Sequence, residues 1–211
     1  MTPDPDDEVS SIGGLIYGLH CLGRDLLVIA ATGQAMSQGL DDSDHESGGS
    51  QVQYAPYSGA LHRLGVMAGK EGEKPMCGLV HAGLEKNTLS ENETTLAAFL
   101  AWRLKPGDVV FASWRFDGDP DHEAVGRATL AASAIVGAKC IPVPVCAWEW
   151  ATPGDSRVPW HRARRVEVDQ YGLYAKRQAL FGDLREGQTN APTSGEPCSD
   201  VMHNPYEIVL L

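Results

Sequence analysis

The stretch Trp114-Arg115-Phe116-Asp117-Gly118-Asp119-Pro120-Asp121-His122-Glu123-Ala124-Val125-Gly126 decides how this chain is read. It starts where the apolar run Val109-Val110-Phe111-Ala112-Ser113 gives out, and it ends inside a small-residue segment, about 121–136, that reads as a helix. Its centre is therefore a strand-to-helix turn. In an open α/β sheet such turns lie at the carboxyl ends of strands, where helix N-termini and loops converge on ligands. Asp117, Asp119, Asp121 and His122 gather three carboxylates and an imidazole there. The chain's start, Pro3-Asp4-Pro5-Asp6-Asp7-Glu8, adds four more carboxylates just ahead of a helical pattern over 9–22. Two acidic turns, each opening a helix, can face one another across neighbouring strands and hold a cation.

Working outward, 211 residues with 43% hydrophobic content suit one globular domain, spanning 1–211. The excess of 28 acidic over 17 basic residues, a net charge of −11, repels nucleic acid and anionic membrane surfaces. Five scattered cysteines with no C-x-x-C spacing signal neither a disulfide framework nor a thiolate zinc site, and a reducing cytoplasm is the expected setting. No apolar run approaches the ~20 residues of a membrane span.

Ile12, Leu15, Ile16, Leu19 and Leu22 recur at helical spacing over 6–22, with Gly13, Gly14 and Gly18 implying close packing on a sheet. The run 25–32 reads as a buried strand. A doubly wound pattern would place a strand ahead of Asp4, where this chain has three residues, so the usual first strand is expected to be missing. Residues 33–57 read as a long mobile loop, 77–82 as a weak strand, and 91–104 as a helix closed by Pro106-Gly107. The segment 140–145 is a further strand, whose prolines place it at an edge. Trp148, Trp150 and Trp160 either line a sugar site or cover the rim of the core. Arg162 to Arg165 reads as a solvated face, 171–184 as a helix, and 205–211 as a terminal strand or extended segment within an irregular C-terminal part from about 185. The order β-α-β-α-β gives the expected class: α/β, a single three-layer Rossmann-like domain with a mostly parallel sheet.

Asp4-Pro5-Asp6-Asp7-Glu8 and Asp119-Pro120-Asp121-His122, each between a strand and a helix, resemble the paired motifs of the PIG-L/LmbE family of zinc-dependent de-N-acetylases. That family carries His-Pro-Asp-Asp-Glu and His-Pro-Asp-His at the two places. The likeness extends to Lys105-Pro106-Gly107-Asp108, to Glu123-Ala124-Val125-Gly126-Arg127 and to Lys176-Arg177-Gln178. The resemblance implies a hydrolase that removes acetyl from an N-acetylglucosamine-type sugar or glycoconjugate. Asp4, Asp7 and His122 would be the metal ligands, Asp6 the general base and Asp119 a second catalytic group. Substrate contacts are expected at Trp114, Arg115, Trp148 and Glu149. In such chemistry the cation polarises the amide carbonyl and acidifies its water, and a carboxylate takes the proton.

Two departures carry consequences. Asp4 stands where the family has a zinc-binding histidine, so the ligand set is more anionic and also suits Mn2+. Asp119 stands where the family has a histidine thought to stabilise the oxyanion, and a carboxylate opposes negative charge unless protonated. The competing expectation is a relative that keeps the fold and binds a sugar or partner without turnover. A calcium module built on Asp41-Asp42-Ser43-Asp44 is disfavoured, because the run lacks the spaced ligands and terminal glutamate of an EF-hand.

Overall fold

The computed structural model describes residues 1–4, 6–33, 59–67, 77–181 and 204–211. The expected loop 33–57, apart from Gly33, and the segment 185–203 lie outside the described residues. The elements run α1 (Asp7–Cys21), β1 (Leu26–Thr32), α2 (Gly59–Arg63), β2 (Cys77–Leu84), α3 (Glu93–Arg103), β3 (Val109–Ser113), α4 (Pro120–Val136), β4 (Lys139–Val143), α5 (Ala147–Trp150), β5 (Ala163–Glu167), α6 (Gln170–Phe181) and β6 (Tyr206–Leu210).

The strands pair two by two. β1 runs parallel to β2, with Val28 opposite Leu79, and β3 runs parallel to β4, with Phe111 opposite Ile141. β5 and β6 are antiparallel, and β6 lies beside β4. Alternation along β1 explains the layering. Val28 points into a cluster with Val9, Ile12 and Ile16 of α1 and Leu61 of α2. Ile29 and Ala31 point into another with Leu96 and Leu100 of α3 and Ala124, Val125 and Ala128 of α4. Helices thus cover both faces, as strands that are apolar on both sides require.

Two close approaches fix how helices meet strands. A Cβ on Gly126 would stand 2.5 Å from the Ser113 carbonyl oxygen, so α4 lies directly against the end of β3. A Cβ on Gly14 would fall 2.5 Å from Val168, and one on Gly13 would be 3.1 Å from Val9 and 3.3 Å from Lys176 of α6. The glycines of α1 therefore admit the α6 side of the molecule, which corrects the expectation that they admit a sheet, and Gly18 meets nothing within 4 Å. A buried ion pair, Lys176 Nζ to Glu207 Oε1 at 2.7 Å, seals that contact, and Glu207 also accepts the backbone N–H groups of Gly14 and Leu15.

Between β1 and β3, where the first strand of a doubly wound sheet would lie, residues 1–3 make one parallel bridge, Thr2 with Ala30. Thr2 N–H donates to Ile29 O, Ala31 N–H to Thr2 O and Thr32 N–H to Pro3 O, while the Met1 ammonium reaches Phe111 O at 2.6 Å. A cleft of about 510 Å3 runs beside them, lined by Ile12, Ile16, Leu26, Val28, Val110 and Phe111. Glu8 faces this cleft with 3% of its surface exposed and no hydrogen-bond partner on either carboxyl oxygen. Its carboxyl is pushed up to about 7 by burial first and then by Asp6 and Asp7, opposed by its own N–H and the Met1 ammonium.

Two segments near the C-terminus complete the third strand pair. Arg164 and Arg165 lie on β5, whose outward side chains leave it looking polar, so the solvated face is a strand paired with β6. The last residues form β6, the strand being one of the two forms expected for 205–211.

Candidate metal centre

The two acidic turns meet. Asp7 opens α1 and His122 lies in the first turn of α4, and His122 Nε2 stands 3.6 Å from Asp7 Oδ2. The helix start is locally determined: Asp119 Oδ1 accepts the N–H groups of Asp121 (2.9 Å) and His122 (3.1 Å), Pro120 follows it, and Gly137 ends the helix in the left-handed region. Asp119 is thereby a helix cap whose hydrogen bonds orient the turn bearing His122.

The other imidazole nitrogen faces inward. His122 Nδ1 is 3.2 Å from Asp117 Oδ2, close enough for attraction but short of hydrogen-bond geometry. Asp117 is fully buried, and its two oxygens accept the backbone N–H groups of Val145, Cys146 and Ala147 at 2.8–3.1 Å. This carboxylate ties the turn after β3 to the turn after β4. Cys146 completes a close set: one ligand atom from each of Asp117, His122 and Cys146 lies within 4.8 Å of the others. Cys146 was not a candidate from the sequence, and Asp117 was one acid of the cluster with no role of its own. Each acts across about 30 residues, and no local spacing announces it.

Of the two cation positions this geometry offers, the outer one fits hydrolytic chemistry better. Asp117 is enclosed and already accepts three N–H groups, whereas Asp7 keeps 27% of its side chain exposed. Two donors bound to one tetrahedral zinc at about 2.0–2.2 Å stand roughly 3.3–3.6 Å apart, which the Nε2 to Oδ2 separation matches. The electrostatics agree. Burial works against a charged imidazole, yet Asp117, Cys146 and Asp7 outweigh it and push His122 up to about 10. Surroundings that hold a proton so firmly also attract a metal cation.

The remaining residues take varied places. Asp4 Oδ1 accepts from Thr32 Oγ1 (2.5 Å) and Oδ2 from Lys86 Nζ (2.5 Å), while Asp4 N–H donates to Asp7 Oδ2 at 3.2 Å. Lys86 and Thr32 hold the Asp4 carboxyl below its ordinary value against the effect of burial. Asp6, at φ 80°, accepts Ala60 N–H at the start of α2. Trp114, expected as a substrate contact, is 5% exposed and packs on Trp150 at 6.4 Å and Phe116 at 5.8 Å. Arg115 is exposed and lies over the Phe116 ring. Trp148 donates Nε1–H to Pro144 O and, with Trp160 and Tyr206, lines a second cleft of about 360 Å3; Glu149 is exposed beside it in sequence.

Comparison with known proteins places the fold. A40926 pseudoaglycone deacetylase Dbv21 is 18% identical with a TM-score of 0.50, over 85% of this chain and 77% of its own. The conserved protein TT1542 from Thermus thermophilus is 18% identical with a TM-score of 0.51, over 85% and 76%. A deacetylase triple mutant from the teicoplanin biosynthetic pathway is 16% identical with a TM-score of 0.50, over 85% and 78%. At these identities the likeness establishes an α/β fold shared with them. No curated protein sequence matches. The family model described as PIG-L, GlcNAc-PI de-N-acetylase, matches residues 1–133, from the acidic N-terminal turn through most of α4. The chain belongs to the PIG-L family.

Proposed function

We propose that this chain is a metal-dependent hydrolase that removes an acetyl or related acyl group from the amide nitrogen of an amino sugar or glycoconjugate. The observation that carries the reading is the 3.6 Å approach of Asp7 Oδ2 to His122 Nε2 between two turns of a PIG-L chain. Asp7 and His122 would hold a divalent cation, Zn2+ or Mn2+, with Asp4 as a third ligand once its present partners are exchanged. Such a cation, when bound, polarises the amide carbonyl and lowers the pKa of the attacking water.

The chain's own groups divide the remaining work. Asp6, next to Asp7 and held on its other side by the start of α2, takes the proton from the attacking water. Asp117 supports the far side of the His122 ring, as carboxylates behind metal-binding histidines do, and Asp119 fixes the turn that carries it. The apolar cleft with Trp148, Trp160 and Tyr206 adjoins Cys146 in the chain and is suited to a hydrophobic portion of a conjugate. Dbv21 is named as a pseudoaglycone deacetylase, which supports a glycoconjugate over a free sugar. The described cysteines are free, and no helix among the described residues is long and apolar enough to cross a membrane.

A second reading, binding without turnover, is favoured by one observation: both Asp4 oxygens are engaged by Thr32 and Lys86. Amine release from N-acetylglucosamine conjugates, measured with Zn2+ or Mn2+ added, separates the two. Activity lost in Asp6→Asn and in Asp7→Asn supports hydrolysis. Tight conjugate binding with no amine released under either metal supports binding alone.

A further inference from the structure

We propose that Lys86 is a tethered cation that competes with the divalent metal for Asp4 and so sets the metal affinity of the site. This rests on the metal reading above and adds a residue that neither acidic motif contains.

Lys86 is brought to the site by a braced turn. Asp121, 7% exposed and adjacent to His122, accepts Asn87 N–H at 2.6 Å and Leu89 N–H at 3.2 Å. Asn87 takes a left-handed conformation at φ 64°, and Thr88 Oγ1 donates to Glu85 O at 2.8 Å. The backbone on either side of Lys86 is thereby fixed to the helical turn that carries His122. From there the ammonium reaches Asp4 Oδ2, with Asp7 and Asp119 also within its electrostatic reach. Thr32 holds the second Asp4 oxygen. The carboxylate that stands where the family has a histidine ligand is thus neutralised by a lysine supplied from another part of the chain.

Lys86 competes without blocking the site. Its side chain is 66% exposed, and surface ion pairs of this kind are weak. With Thr32 on Oδ1 and Lys86 on Oδ2, a metal ion that binds through Asp4 takes electron density that the ammonium now draws on, and so weakens or displaces the contact made by Lys86. Its positive charge also repels an incoming divalent ion. At a separation of about 5 Å, even with the dielectric of water, that repulsion corresponds to about a tenfold change in affinity.

The test is calorimetric titration of the full chain with Mn2+ and with Zn2+, comparing wild type, Lys86→Met and Lys86→Arg, each first checked to melt within a few degrees of the others. Lys86→Met is expected to bind about tenfold tighter, Lys86→Arg to bind like wild type, and Asp4→Asn added to Lys86→Met to cancel the gain. If wild type binds and Lys86→Met binds no tighter, or Lys86→Arg tightens equally, the role of Lys86 is overturned while the metal reading stands. If none of the proteins binds an ion, both fall together.

Discussion

Glu8 offers the sharpest stability test, because its carboxyl is buried in the cleft between β1 and β3 with no hydrogen-bond partner on either oxygen. Unfolded, it titrates near 4.5; folded, burial pushes it to about 7. Between those two pH values the native state retains a proton that the unfolded state has released. Its contribution is therefore fully present below pH 4.5, declines as pH rises to about 7, and is constant above. At about 1.4 kcal/mol per pH unit, the gap amounts to roughly 3 kcal/mol. Glu8→Gln keeps the shape and removes the titration. The stability difference between variant and wild type, from urea unfolding, should thus grow by roughly 3 kcal/mol in favour of the variant between pH 4.5 and pH 8. In thermal melts this is a relative gain of roughly 6–12 °C for a domain of this size. Reading the change in the difference cancels the fixed cost of burying an amide. It also largely cancels the Met1 ammonium, which burial lowers to about 6 and which is present in both proteins. Parallel pH profiles for the two proteins would refute the reasoning.

Asp117→Ala should destabilise the fold by about 3–5 kcal/mol, because three backbone N–H groups after β4 lose a buried charged acceptor; a loss under about 1 kcal/mol by urea unfolding would contradict its bracing role. Gly126→Ala should cost about 1–3 kcal/mol or more, since its Cβ would meet the backbone of Ser113 and Arg115, and a neutral effect in the same assay would show that α4 can lift off β3.

Much of the fold was legible because its signals are local. The apolar runs at 25–32 and 108–114 and the periodicity of 9–22 are short-range patterns, and β1, β3 and α1 follow them within a residue or two. The same turns implied that Asp7 and His122 share one end of the sheet, and in the structure the two lie 3.6 Å apart. What escaped is non-local or ambiguous. Asp117 looked like one acid in a cluster, but it binds a segment 28–30 residues later. Lys86 is an unremarkable loop lysine until the fold carries it across 82 residues to Asp4. Trp114 adjoins the turn in sequence, yet stacking on Trp150 draws it inward. The Asp119-Pro120 pair is itself a helix-start signature, so the cap was readable beside the catalytic role the family resemblance implied.

The central claim is that Asp7 and His122 jointly hold one divalent cation. Elemental analysis of the full chain after equilibration with saturating Zn2+ or Mn2+ and removal of free ion tests it most directly. The expected result is about one equivalent per chain in the wild type and an affinity about 100-fold lower or worse in Asp7→Asn and in His122→Ala. A wild type that retains no metal, or variants that retain as much as the wild type, would contradict it.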